Sequence, residues 1–399
     1  MIGNHYLKIL RSPGMAAWLA VLVCQRFPVA MAPLALVYLG HAVTGSYAVG
    51  ALLGGVHALA EAAAAGPLGR RFDRRPARIE AALALGVEAA VFLLLAALPS
   101  PPVPVLVVLA AAGGAVPAGA HGGLRALLVR LVPAERRVAA LSLESAVSTT
   151  VWTLAPALVA VVVVFGARWP IALMAVLAGL GAVAARGLRD PARPAAQVVG
   201  GGLWRRSWPT LAFDAAQMFA FGAVSLALPS LLLAFKAGDG LAGPVLTAYT
   251  LAGIGGGLLF GVRAWPGTAL AQAVLLAMGT FLALGAAALV PALAPVVALF
   301  ALAGLFQTPA LTARAAALQD RLDPSQWSAG FSGAYAAAGL GYGTAGFVVA
   351  WLVDRLGAQP AIGLCVVTSA VIVLAASAAE ARAVRRAARP PTGLAVERG

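Results

Sequence analysis

Residues 66–80 read GPLGRRFDRRPARIE, five arginines around Asp73, set between two long apolar runs. A basic knot of this kind has three readings: a nucleic-acid patch, a solvated face of a soluble domain, or a loop between membrane spans. Composition decides among them. Of 399 residues, 61% are hydrophobic and only 11% charged, whereas a soluble domain is about half apolar and about a quarter charged. Such a chain has too little polar surface to cover itself in water, so its solvent is a bilayer. The formal charge of +14 would suggest nucleic acid in a soluble protein. Here the arginines are segregated into short loops, and no basic face carries the interleaved aromatics that stack on bases. The knot is therefore a loop of an integral membrane protein, and nucleic acid is not expected as a partner.

A spanning helix needs about 20 mostly apolar residues at about 1.5 Å each. That length predicts an all-α membrane protein of about twelve spans, the first six near 15–38, 46–66, 79–98, 103–130, 139–165 and 167–186. The second six fall near 209–234, 243–262, 268–290, 293–318, 328–352 and 359–380. The loops after spans one, three and nine (GHAVTGS, PSPPVP, PALAP) carry no lysine or arginine. Those after spans five, seven and eleven carry only Arg168, Lys236 beside Asp239, and Arg355 beside Asp354. The other set holds Lys8 and Arg11, the knot at 70–78, Arg130, Arg136 and Arg137, Arg186 to Arg206, Arg263, Arg321, and the tail from Arg382 to Arg389. By the positive-inside rule this alternation puts both termini in the cytoplasm of a multi-pass cell-membrane protein.

LRDPARPAAQVVGGGLWRRS at 188–207 is the longest polar segment before the tail and reads as a linker. It divides the chain into an N-terminal six-helix half (1–188), a cytoplasmic linker (189–207) and a C-terminal half with a basic tail (208–399). The halves echo one another. AVPAGAHGGLRALLVRLVPAERR at 115–137 and QTPALTARAAALQDRLDPSQW at 307–327 each set a proline (Pro117, Pro309), an arginine (Arg125, Arg314) and a loop proline (Pro133, Pro324) at nearly equal spacing. PLALVYL at Pro33 and LPSLLLAF at Pro229 add to the likeness. A parallel repeat of six-helix halves, the transporter architecture, is the simplest account; chance likeness between Ala- and Leu-rich segments is its rival.

Ionisable groups within the spans are the informative residues, since each costs at least a few kcal/mol without a partner, a cavity or a function. Arg26, His57, Glu88 and His121 fall near the midplane; Glu61, Arg125, Glu144, Asp214 and Arg314 fall nearer the cytoplasmic third. Arg125 and Glu144 reach similar depth on consecutive antiparallel spans, which suits either a fixed ion pair or one that exchanges partners. Glu61 lies one turn past His57 on one helical face, facing a cavity or serving its neighbour. Arg26, in an otherwise apolar span, can take an anionic group bidentately or hold a carboxylate such as Glu88 or Glu61. Glycines at 253, 257 and 261, and at 339, 341 and 343, allow close helix approach. Cys24 and Cys365 sit deep in apolar runs as space-filling thiols with no metal spacing. No Walker loop, metal cluster or nucleophile–base pair is evident, so neither enzymatic activity nor a cofactor is expected.

In the loop after span two, Gly69, Asp73, Arg74 and Arg78 match the signature of the major facilitator superfamily, which the whole chain resembles. Pro76 stands where that family has glycine, and Arg71 where an aliphatic residue is usual. The resemblance implies that Asp73 latches the two halves on the cytoplasmic side, against the start of span eleven near Ser328. It implies a cavity lined by spans one, four, seven and ten, with Arg26, His121, Asp214, Gln217, Gln307 and Thr308 as liners. Trp152, Tyr249 and Tyr335 are candidates for stacking on substrate. Span five, ESAVSTTVWTLAPALVAVV, keeps Pro156 of the family's antiporter motif but lacks its glycines. The expectation is a monomeric secondary transporter exporting a small organic compound by alternating access, coupled to protons or another ion. The alternatives are an importer of an anionic metabolite, with Arg26 as its anchor, and a non-transporting receptor or scaffold.

Overall fold

The computed structural model describes residues 2–191, 203–236 and 241–387. Most of the linker (192–202), Asp239, and the tail beyond 387 lie outside them. Among the described residues there is no strand. A short helix α1 (Ile2–Leu10) precedes α2 (Met15–Thr44), α3 (Tyr47–Arg74), α4 (Ala77–Ala97), α5 (Val103–Ala115), α6 (Ala118–Leu131), α7 (Arg137–Val162) and α8 (Trp169–Ala184). The second half holds α9 (Leu203–Ala234), α10 (Ala242–Gly261), α11 (Ala269–Leu289), α12 (Leu293–Arg321), α13 (Trp327–Leu356) and α14 (Ala358–Ala387).

Helices α5 and α6 make one span, interrupted at Val116–Pro117. The missing N–H of a proline breaks the helical ladder there, whereas Pro309 leaves α12 continuous. Twelve spans result, with boundaries close to the expected ones. Eleven are long and apolar enough to qualify by hydropathy alone; α3 qualifies by its place in the bundle. It also overshoots its apolar part by two turns, so that Phe72, Asp73 and Arg74 are helical rather than looped. Ser46 caps its start, the hydroxyl accepting from the Val49 N–H at 3.4 Å.

Alternating small and large apolar side chains give each half its own interior. Trp18, Leu22, Leu85 and Leu127 lie in one N-terminal cluster and Phe92, Met31 and Met174 in another; Phe213, Phe281 and Phe300 lie in the C-terminal one. A further cluster joins the halves, with Ala126, Val129 and Leu141 meeting Leu318, Trp327 and Phe331. The halves meet along two seams, α3 and α6 against α13, and α7 against α10 and α12.

Candidate functional site

The arginine knot lies at one end of the first seam. Asp73 accepts the backbone N–H of Ser328 at 3.0 Å and of Ala329 at 3.1 Å, so it caps α13, a helix of the other half. A carboxylate at a helix N-terminus satisfies donors that have no partner within the helix. Arg130 stands 3.5 Å from the same carboxylate and donates to the Pro324 carbonyl at 2.7 Å. Burial pushes the Asp73 carboxyl up to about 6, outweighing the bonds from Ser328 and Ala329 and the charge of Arg130. Gly69 allows this approach, because a Cβ there would stand 2.9 Å from the Ala329 Cα and the Ser328 oxygen. Gly122 of α6 is held as closely against Ser328 and Ser332.

The other knot residues serve the N-terminal half itself. Arg71 pairs with Glu80 at 2.5 Å. Arg74 and Arg78 are exposed. The backbone N–H groups of Ala77 and Arg78 donate to Asp190 at 2.8 and 3.3 Å, which caps α4 from within the same half. Of the four signature residues, Gly69 and Asp73 therefore meet the other half directly.

Deeper in the bundle, Glu144 of α7 lies between two arginines. One oxygen meets Arg26 Nη2 at 2.9 Å and the other is bonded twice by Arg125. Arg26 is only 1% exposed and engaged at all three nitrogens: Nε donates to Ser148 Oγ at 3.2 Å, and Nη1 meets Gln25 Oε1 at 2.5 Å and His121 Nδ1 at 2.6 Å. The expected pairing of Arg26 with Glu88 or Glu61 is thus replaced by one with Glu144. Helix α2 runs beside α7, which delivers Glu144 to it directly.

This network reaches the seam. The His121 ring stacks on Tyr335 of α13 with centroids 3.4 Å apart, and Arg125 lies over Phe331 at 5.9 Å. The Tyr335 side chain in turn lies beside the Glu61 carboxylate on α3. Glu61 and His57 do not serve each other: His57 Nδ1 meets the Ala110 carbonyl at 3.2 Å. Glu88 is wholly buried near Glu61, and neither carboxylate oxygen has a hydrogen-bond partner among the described residues.

In the C-terminal half, Arg314 meets Glu380 at 2.6 Å, bonds the Thr210 hydroxyl and lies over Phe213 at 5.1 Å. Arg321 approaches the other Glu380 oxygen at 2.9 Å. Asp214 lies in the field of Arg314 and Arg125, one from each half. Gln217 is fully buried with both amide atoms unbonded among the described residues. Gln307 donates to Met218 Sδ at 3.7 Å, and the Tyr249 ring stacks on Phe221 at 4.8 Å. Trp152 is exposed. Thr308 is buried against α10, where a Cβ on Gly253 would lie 2.8 Å from its hydroxyl.

Sequence reasoning passed over Glu380, which sits at the predicted end of its span, and Asp190, inside the linker. A lone acid in ASAAEARAVRRAA was the available signal for the first. The glycine expectation also shifts: Gly341 abuts the Ala215 backbone while Gly339 and Gly343 face open space.

Residues 18–264 match the family model described as Major Facilitator Superfamily. No curated protein sequence matches the chain. Among solved structures, the human organic anion transporter MFSD10 (TETRAN) is similar with TM-score 0.68 and 16% identity, over 92% of this chain and 98% of that one. A bacterial homologue of the iron transporter ferroportin, in an outward-facing state, gives 0.68 and 14%, over 94% and 98%. The transporter FucP in its outward conformation gives 0.65 and 12%, over 91% and 99%. At these identities the likeness is one of fold.

Proposed function

The chain belongs to the major facilitator superfamily, and from that premise we propose a secondary transporter of the cell membrane that exports a small organic compound by alternating access, driven by protons entering down their gradient. Both termini lie in the cytoplasm, which makes the knot end the cytoplasmic end and the state described here closed toward the cytoplasm. The observation that carries this reading is the chain of contacts across the seam, with Tyr335 stacked on His121 and continued through Arg26 to Glu144, and with Glu61 beside the same tyrosine. A carboxylate that faces a hydroxyl of the other half links its protonation to the position of the halves. An ionised Glu61 accepts strongly from Tyr335; a protonated one accepts weakly, because a charge-assisted bond is about twice as strong as a neutral one. Glu88, buried beside it without a bonded partner, offers the proton a second station.

Export is favoured by the scarcity of free charge for holding a polar nutrient, since the guanidinium of Arg26 is already occupied. The test is proton movement in proteoliposomes carrying an internal pH dye, with and without an imposed pH gradient, on addition of neutral aromatic compounds. Gradient-dependent exchange is expected, and Glu61→Gln should uncouple it. Equal flux with and without the gradient would overturn proton coupling.

A further inference from the structure

The two halves present different chemistry to the space between them. The N-terminal half brings Arg26, Glu61, Glu88, Arg125 and Glu144, all charged or chargeable. The C-terminal half, besides Asp214 and the Arg314–Glu380 pair, brings uncharged polar groups beside aromatic rings, and several of these are left without partners. Gln217 is 0% exposed, yet neither its Oε1 nor its Nε2 is bonded among the described residues. The Gln307 carbonyl oxygen and the Tyr249 hydroxyl, on residues 5% and 6% exposed, are likewise unbonded. Buried amides and hydroxyls are almost always hydrogen-bonded, because a dry unpaired donor or acceptor loses its water for nothing. Several such groups gathered in one place point to a partner that comes and goes.

They are gathered. Gln217, Met218 and Phe221 follow at helical spacing on one face of α9. Gln307 of α12 reaches across to Met218. Tyr249 of α10 stacks on Phe221 with an interplanar angle of 17°, and Tyr342 of α13 comes within 6.0 Å of the same ring. Stacked and offset rings at such distances hold flat π-systems well. Asp214 lies one turn away on α9, in the field of Arg314 and Arg125, and the unbonded groups of the cluster itself, on Gln217, Gln307 and Tyr249, are all uncharged.

We propose that these residues form the substrate subsite, and that it takes an uncharged, flat aromatic compound bearing a paired donor and acceptor of the amide kind. The inference rests on the transporter reading and divides the work within it: the N-terminal half carries the proton and the C-terminal half the substrate. Gln217 binds the donor–acceptor pair, the Gln307 carbonyl takes a further N–H or O–H, and Phe221, Tyr249 and Tyr342 hold the ring.

The test uses the full chain in lipid nanodiscs and three matched probes, 4-phenylbenzamide, 4-phenylbenzoate and 4-phenylbenzylamine, with binding read by equilibrium dialysis. The neutral amide should bind at least about tenfold more tightly than either ion, the equivalent of one well-made hydrogen bond. Gln217→Leu, which exchanges an unbonded amide for an apolar side chain of similar size, should fold normally and erase that preference. Tyr249→Phe should reduce amide affinity severalfold, and it keeps the proposal falsifiable should the first variant not fold. Equal binding of the three probes, tightest binding of the carboxylate, or unchanged amide binding in folded Gln217→Leu would each overturn the subsite. Proteoliposome proton flux separates the two levels. Gradient-dependent flux that ignores Gln217 sinks the subsite alone, whereas absence of any gradient-dependent flux sinks the transporter reading beneath it.

Discussion

Glu144 and Glu380 stand in the same arrangement in opposite halves. Each is a fully buried carboxylate between two arginines, Arg26 and Arg125 for the first, Arg314 and Arg321 for the second. Each triad carries one surplus positive charge and has a second acid in its field, Glu61 and Asp214 respectively. What differs is the company. The Glu380 triad bonds Thr210 and packs on Phe213, both of its own half. The Glu144 triad runs through His121 and Arg125 to Tyr335 and Phe331 of the other half. One buried ion triad is thus tied only to its own half, while the other is joined to side chains of the opposite half.

Removing either central acid is the harshest way to break the comparison. Glu144→Ala and Glu380→Ala each strand arginines in a dry interior, and each should cost about 3–5 kcal/mol in a detergent unfolding measurement. The halves separate when charge is removed in balance. Arg314→Met with Glu380→Leu should leave stability within about 2 kcal/mol of the parent and leave transport intact. Arg26→Met with Glu144→Leu, which likewise leaves only the part-exposed arginine of its triad, should match it in stability and abolish coupled flux. Equal transport by the two double variants would erase the distinction between the two triads.

The same contrast holds among helix caps. Asp73 caps α13 across the seam, while Asp190 caps α4 within one half. Asp73→Ala should shift the equilibrium toward the seam-open state by about 2 kcal/mol, roughly thirtyfold, because closure then leaves the N–H groups of Ser328 and Ala329 without an acceptor. Thiol labelling of Ser332→Cys, in a background of Cys24→Ala and Cys365→Ala, reads that shift, since Ser332 is fully buried in the closed seam. Asp190→Ala should cost about 1 kcal/mol of stability, as a lost N-cap does, and leave the labelling rate unchanged.

The same cap also responds to pH. The Asp73 carboxyl is raised from 3.8 to about 6 in the closed seam and returns toward its ordinary value once solvated. The closed state therefore holds the proton more tightly and gains as pH falls through about 6. From pH 7 to pH 5 the closed-to-open ratio should rise about tenfold, seen as slower labelling of the same cysteine. Asp73→Asn should flatten that dependence.

Span number, the two-half pattern and the Asp73 contact near Ser328 were legible in the sequence because they rest on long apolar runs and a positioned motif. Arg125 with Glu144 was legible for a similar reason, since depth along consecutive antiparallel helices is simple arithmetic. The partner of Arg26 was not, because that choice depends on which helix lies beside α2 and how each is rotated, which spacing along one chain does not encode. Glu380 was hidden by its place at a span boundary, where an acid reads as solvated. The break at Pro117 falls in a run with Gly113, Gly114, Gly119, Gly122 and Gly123, whereas Pro309 is followed by the helix-forming stretch ALTARAAAL, so helix propensity around the two prolines differs.

Gly69 and Gly122 give the seam a further property. Their backbones lie so close to α13 that a single methyl group has nowhere to go when the halves meet. Gly122→Ala would then act as a doorstop, leaving each half intact and barring only their closure. The contact at Gly69 and Gly122 thus leaves a tolerance narrower than one carbon atom.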